Sequence, residues 1–243
     1  MKFTYILRLT TAVALTAGFT ACDEGDIQPD EASIGIAGRT VRLEADLDGV
    51  DAWASRYSVV VAGFGQGNDY ALIAKPVKAS TDASGHCVFE LTGLQNDVTE
   101  VALCAIDPLR RRVATFVTVD ATDGEGTINI TPSERIDVSM TGAVQTEIFD
   151  TRCVQCHGRT GHAAAGLDLV EGRSYASLVG VPSVKEPEHL RVAPGNSTES
   201  TLWRALALPV TAHWGYDHSV EVVDDALLGL VADWIDAGAP KAD

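Results

Sequence analysis

The chain reads as two domains of different class, an all-β sandwich over residues 34–140 followed by an all-α domain over residues 141–243. Up to Ile130, apolar and polar residues alternate in short runs bounded by turn residues, which is the period of half-buried strands. Beyond residue 141 the apolar spacing changes to three and four, the period of amphipathic helices. A length of 243 residues, with 46% apolar and 21% charged, suffices for two ordinary globular domains.

Residues 1–21 do not belong to either domain. Lys2 and Arg8 flank an apolar run from Leu9 to Phe19, and small Thr20 and Ala21 lead into Cys22. Phe19-Thr20-Ala21-Cys22 resembles the lipobox of a bacterial lipoprotein signal peptide. That resemblance implies a lipid on Cys22 and a bacterial cell-envelope location, anchored in a membrane and facing the periplasm or the cell surface. An ordinary secretory signal cut near Ala21 is the alternative. The run is too short to span a bilayer, and no later stretch reaches about 18 apolar residues. Residues 22–33 carry five acids and no base, with Gly25 and Pro29, and read as an acidic tether.

From Arg39 to Leu47 the alternation places Val41, Leu43, Ala45 and Leu47 on one face of a strand. Further strands are expected at Tyr57–Phe64, Ala71–Pro76, His86–Leu91, Val98–Ile106, Val113–Val119 and Thr127–Ile130, with turns such as Gly63-Phe-Gly65-Gln-Gly67 between them. Seven short strands at this spacing predict an antiparallel sandwich, immunoglobulin-like or similar. Nothing in it looks catalytic. His86 beside Cys87 lacks the second histidine of a blue-copper site, and Arg110-Arg111-Arg112 reads as a solvated charge run.

In the second half, Val144, Ile148 and Phe149 lie on one helix face that leads into Cys153. Shorter helices fit Tyr175–Val179 and Glu199–Leu206. A closing helix carries Leu227, Leu230, Val231, Trp234 and Ile235, with Asp224 as candidate N-cap and Gly238 as stop. Between the first and last of these lies Cys153-Val154-Gln155-Cys156-His157. Cys-x-x-Cys-His is the attachment signature of a c-type haem. Two thiols three apart on one helical turn can form thioethers to one haem, and the adjacent His157 reaches the iron. A structural zinc site would need further ligands at finger-like spacing, and a thioredoxin-like pair would open a helix rather than close one. With Cys22 lipidated and two cysteines on haem c, Cys87 and Cys104 remain as a possible disulfide in an oxidising compartment.

The surroundings of the motif sharpen it. Gly166-Leu167-Asp168-Leu169, Arg191-Val-Ala-Pro194-Gly195 and Trp234-Ile235-Asp236-Ala237-Gly238-Ala239-Pro240 come after it in order. This stretch of about 100 residues resembles a bacterial monohaem c-type cytochrome domain. The resemblance implies an all-α cytochrome c-like fold, one covalent haem at Cys153 and Cys156, and His157 as proximal iron ligand. Such domains usually supply a distal Met shortly before the last helix, yet no Met follows Met140. His213 falls nearest the usual position, with His218 as the alternative and Met140 a more distant candidate. His162 and His189 have no such positional argument and read as surface residues.

Removing residues 1–21 takes away Lys2 and Arg8 and no acid, so the formal charge of −16 becomes −18. A chain this acidic is not suited to nucleic acid; the charge is spread rather than patched, which reads first as colloidal solubility and second as complementing a redox partner with a basic docking face. The function expected is electron transfer without conversion of a substrate, so the chain is read as a carrier and not an enzyme. A haem-based redox or small-ligand sensor and a surface binding lipoprotein with an accessory haem domain are the alternatives. Replacing a thioether by an imidazole removes a ligand that favours ferrous iron, so a reduction potential below that of a His/Met relative is expected. A redox titration giving a clearly positive, His/Met-like potential would contradict this.

Overall fold

The computed structural model describes residues 38–80, 84–122, 126–158, 163–209 and 214–241. Strands form where the alternation predicts them: β1 (Arg39–Asp48), β2 (Ser58–Phe64), β3 (Ile73–Pro76), β4 (His86–Leu94), β5 (Glu100–Ile106), β6 (Arg112–Asp120) and β7 (Thr127–Ile130). A two-residue strand, β8 (Ile136–Asp137), comes next. In one sheet β1 is central, antiparallel to β4 but parallel to β7 and β8, so the purely antiparallel arrangement expected is not observed. The second sheet runs β3-β2-β5-β6 and is antiparallel throughout. Val41, Leu43, Ala45 and Leu47 of β1 meet Val59 and Val61 of β2 and Leu103 of β5 in the interior between the sheets. The strand period therefore aims one face of each sheet at the other.

An independent all-α, cytochrome c-like second domain is not present, which corrects the two-domain expectation. The helices α1 (Met140–Val144), α2 (Val154–His157), α3 (Ser174–Leu178) and α4 (Thr201–Ala207) are four to seven residues long. Among the described residues, only α5 (Asp225–Asp236), at 12 residues, has a length typical of an α-helix in a globular protein. Isolated bridges join Val179 to Val192, Pro182 to Leu190 and Leu190 to Ser200, so extended backbone interleaves with the helices. Helices this short cannot bury one another's apolar faces completely, and they complete their core on the strands.

Met140, Val144, Ile148, Phe149, Trp234 and Ile235 share one buried cluster with Tyr57, Ala105, Val113 and Ala114 of the strand-bearing segment. Trp53 and Phe116, with ring centroids 6.4 Å apart, pack against this cluster and also against the sandwich interior. Polar contacts lie along the same seam. The Tyr57 hydroxyl donates to Asp233 at 2.7 Å, and burial together with that carboxylate pushes its pKa up. Thr115 N donates to Glu147 at 2.6 Å, and Arg111 pairs with Asp224 at 2.8 Å. The described residues thus form one compact unit.

Three local expectations change with the tertiary structure. The turn of helix expected after Ala143 is π-helical from Gln145 to Cys153. Cys87 and Cys104 are both free, not a disulfide. Cys87 on β4 packs toward the sandwich interior, whereas Cys104 on β5 points to the opposite face with Val60, Ala62 and Phe64, where burial pushes its thiol up to about 12. Arg111 and Arg112 are not a solvated run, since Arg112 also pairs with Asp69 and Glu100 and lies 4.4 Å over the Phe64 ring.

A core shared across the seam should unfold as one unit. Thermal melts monitored at strand and helix signals should coincide, and Trp234→Ala, which empties a site 1% exposed, should lower both together at a cost of about 3–5 kcal/mol. Separate transitions, with only the helical signal displaced, would contradict the shared core.

Candidate functional site

The Cys-x-x-Cys-His segment leaves the core on the π-helical stretch and closes on α2. Gln145, 6% exposed, ties that stretch down: its amide donates to Asp150 at 2.7 Å and to the Leu169 carbonyl at 2.9 Å, while its oxygen accepts from Ser174 at 2.6 Å. A buried amide with its partners supplied holds three segments in one arrangement. Gly158 then lets the chain turn close to Val170, where a Cβ would come within 2.6 Å of the Val154 carbonyl and 3.0 Å of the Val170 side chain. Leu169 N donates to the His157 carbonyl at 2.7 Å, so the Gly166–Leu169 segment lies directly against the motif.

The His157 Nδ1 lies 3.1 Å from the Ala164 carbonyl. A carbonyl only accepts, so this contact requires the proton on Nδ1, and the Leu167 carbonyl also acts on the ring as an acceptor. Burial is the main influence holding the His157 pKa below its ordinary value, and nearby His218 acts in the same direction. The neutral ring is the metal-binding form. Cys153 is half-buried, and burial, then the Glu221 carboxylate, push its thiol up to about 11. Cys156 is exposed on α2, three residues beyond Cys153 at the end of the π-helical stretch.

These groups line a pocket of about 720 Å³, within the roughly 300–1,000 Å³ of small-molecule and cofactor sites. Leu167, Leu169, Leu178, Leu202 and Leu206 provide apolar walls. His218 faces His157 across the pocket, with ring centroids 6.1 Å apart and planes tilted by 33°. An imidazole nitrogen about 2 Å from a metal puts its ring centre about 3 Å away, so two rings on opposite sides of one ion are about 6 Å apart. Tyr216 stands edge-on to His218 at 5.2 Å and Trp214 at 6.0 Å, and the Tyr216 hydroxyl donates to Glu221.

The pocket also carries an unmet polar demand. Among the described residues, the buried side-chain atoms without a hydrogen-bond partner are Arg39 Nε, Thr201 Oγ1 and His218 Nδ1, and the last two belong to residues that line this pocket. Such groups are costly unless something bound satisfies them. No three His, Cys, Asp or Glu side chains among the described residues converge as a bare metal ion requires. The thiols and imidazoles are instead spread along the pocket, which suits a large, mostly apolar group carrying its own metal. The residues present fit a haem.

The structure places Cys153, Cys156, His157 and His218 in one pocket, whereas Cys22 and His213 lie outside the described residues. His162 is outside them too. Met140 is fully buried and its sulfur accepts from Ala54 N at 3.4 Å, which removes it as a candidate iron ligand. His189 pairs with Glu199 at 3.2 Å, and His86 with Asp46 at 3.0 Å. Sequence reasoning missed Arg191, Trp214, Tyr216 and Glu221, all on the pocket wall. The Trp214-Gly-Tyr216-Asp-His218 alternation was the available signal for two of them. Compared with protein-family models, curated proteins and solved structures, the chain matches none.

The unequal environments of the two thiols predict unequal chemistry in the unliganded chain. At neutral pH an alkylating reagent should modify exposed Cys156 first, and Cys153 should react slowly until the pH approaches about 11. Equal rates at neutral pH, read by peptide mass mapping, would contradict this.

Proposed function

We propose that the chain is a monohaem c-type electron carrier, with one haem c joined covalently to Cys153 and Cys156 and with His157 and His218 as the two iron ligands. The observation that carries this reading is the opposition of the two imidazoles at 6.1 Å across an apolar pocket that both thiols border. When bound, the haem supplies a one-electron ferric/ferrous couple.

The chain's own residues do the rest. Cys153 and Cys156 would hold the group by its two thioethers, and the leucine walls would give it apolar surroundings. The Ala164 carbonyl orients His157 through Nδ1. Trp214 and Tyr216 restrict the ring of His218. His213, five residues before His218, is the other candidate for the second ligand. Cys22 as a lipid site, leading into the acidic tether, would keep the carrier at the cell envelope. The acidic charge, −18 once residues 1–21 are removed, is compatible with a redox partner that presents a basic face. Among the described residues no helix is long and apolar enough to cross a membrane.

The test is the absorption spectrum and intact mass of the full chain matured in a host with c-type cytochrome assembly. One covalent haem and a six-coordinate spectrum unchanged by carbon monoxide are expected. His218→Ala should open the iron to carbon monoxide while His213→Ala should not. A wild-type chain without covalent haem overturns the carrier. An unchanged spectrum in His218→Ala overturns the ligand assignment, and carbon monoxide binding by the wild type would favour a small-ligand sensor.

A further inference from the structure

The carbonyl that orients His157 is itself the start of an unusual turn. Ala164 leads into Ala165 at φ 56° and Gly166 at φ 61°, two successive left-handed residues. Glycine adopts this conformation readily, but alanine keeps it only where its surroundings hold it. The side chain that holds it is Arg191. Its Nη2 donates to the Ala165 carbonyl at 3.0 Å and to the Gly166 carbonyl at 3.4 Å. Its Nη1 donates to the Ser177 carbonyl at 2.8 Å, to Ser177 Oγ at 3.3 Å and to the Gly166 carbonyl at 3.4 Å.

The guanidinium is therefore a fork that joins the turn to α3. Burial draws its pKa below the ordinary arginine value, and no neighbouring carboxylate opposes this. Its backbone is anchored as well, since Arg191 N donates to the Val181 carbonyl at 2.7 Å and its own carbonyl accepts from Leu202 N at 2.9 Å. A planar group with several donors suits this task, and a lysine ammonium does not reproduce it.

We infer that Arg191 is the positioning residue for His157: by clamping the Ala165–Gly166 turn it presents the Ala164 carbonyl to Nδ1 and keeps Nε2 as the ring's metal-binding nitrogen. Its charge also acts on the ring directly, disfavouring the imidazolium as burial does, but the choice of nitrogen rests on the hydrogen-bonded turn. Its effect on iron rests on the haem reading. A purely structural arginine would instead tie a loop to a helix, and its loss would lower stability while leaving the imidazole as it was.

The ring can be read without haem. In the full chain made without haem maturation and labelled with ¹⁵N-histidine, at a pH above the histidine range, wild-type His157 should show the Nδ1–H tautomer alone. Arg191→Gln should give a mixture of tautomers. Adding Ala165→Gly, which relieves the left-handed alanine, should restore the wild-type tautomer in part. A folded Arg191→Gln chain, judged by circular dichroism, that keeps the pure Nδ1–H tautomer overturns the inference. Should Arg191→Gln fail to fold, Arg191→Lys takes its place, and an unchanged tautomer there overturns the inference equally.

In the haem-loaded chain the same loss should raise the reduction potential, because an imidazole released from its carbonyl is a poorer donor to ferric iron. A potential unchanged in Arg191→Gln would overturn the iron-tuning part. Failure of the haem reading itself would show separately, as a wild-type chain carrying no covalent haem while the tautomer result stands.

Discussion

The structure depends on one apolar core that neither half of the chain can complete alone. Short helices are marginal by themselves and need tertiary packing of an apolar face. Here α1 and α5 meet around Trp234, and the cluster closes only when Tyr57, Ala105, Val113 and Ala114 join it. The indole N–H donates to Thr141 Oγ1 at 2.9 Å, which supplies the polar end of a side chain otherwise surrounded by apolar groups. Arg111, Tyr57 and Thr115 bind carboxylates of the helical segment along the same seam.

The pocket is a consequence of that arrangement. With α1 held in the core, the π-helical stretch from Gln145 to Cys153 leads outward to the motif, and Gln145 fixes it against Leu169 and Ser174. A widened helix next to a site of this kind recurs in proteins, because the extra residue per turn re-aims the side chains beyond it. The loop over Ala164–Gly166 and the short 3₁₀ turn His218–Val220 then bring Ala164, Ala165 and His218 to the pocket wall. Hydrogen bonding, burial and charge act together on His157, burial and His218 holding its pKa down while the Ala164 and Leu167 carbonyls oppose them.

Much of the fold was legible because its signals are local. Alternation along β1 is a clean period of two, and it survives as four buried inward residues. Asp224 was readable as an N-cap, and its side chain accepts from Ala226 N at 2.8 Å. The all-α expectation failed for a related reason. Spacing at three and four shows that a face is apolar, but not that the face meets another helix, and here part of it meets strands β5 and β6. The disulfide expectation counted thiols and ignored strand period, which sends Cys104 to the outer face of its sheet. Arg191 belongs to a recognisable segment, yet its role depends on three carbonyls brought to it by α3 and a distant turn.

By itself, the sequence determined the strands, the closing helix and the position of the Cys-x-x-Cys-His segment, since each arises from residue type and short-range spacing. Only the tertiary structure decided that the halves share a core, that the sulfur of Met140 is bound inside it, and that His218 stands opposite His157. Those facts are contacts between residues distant in the chain, Tyr57 with Asp233, Ala54 with Met140 and His157 with His218, and the spacing of residues along a chain does not encode which distant surfaces will close on each other.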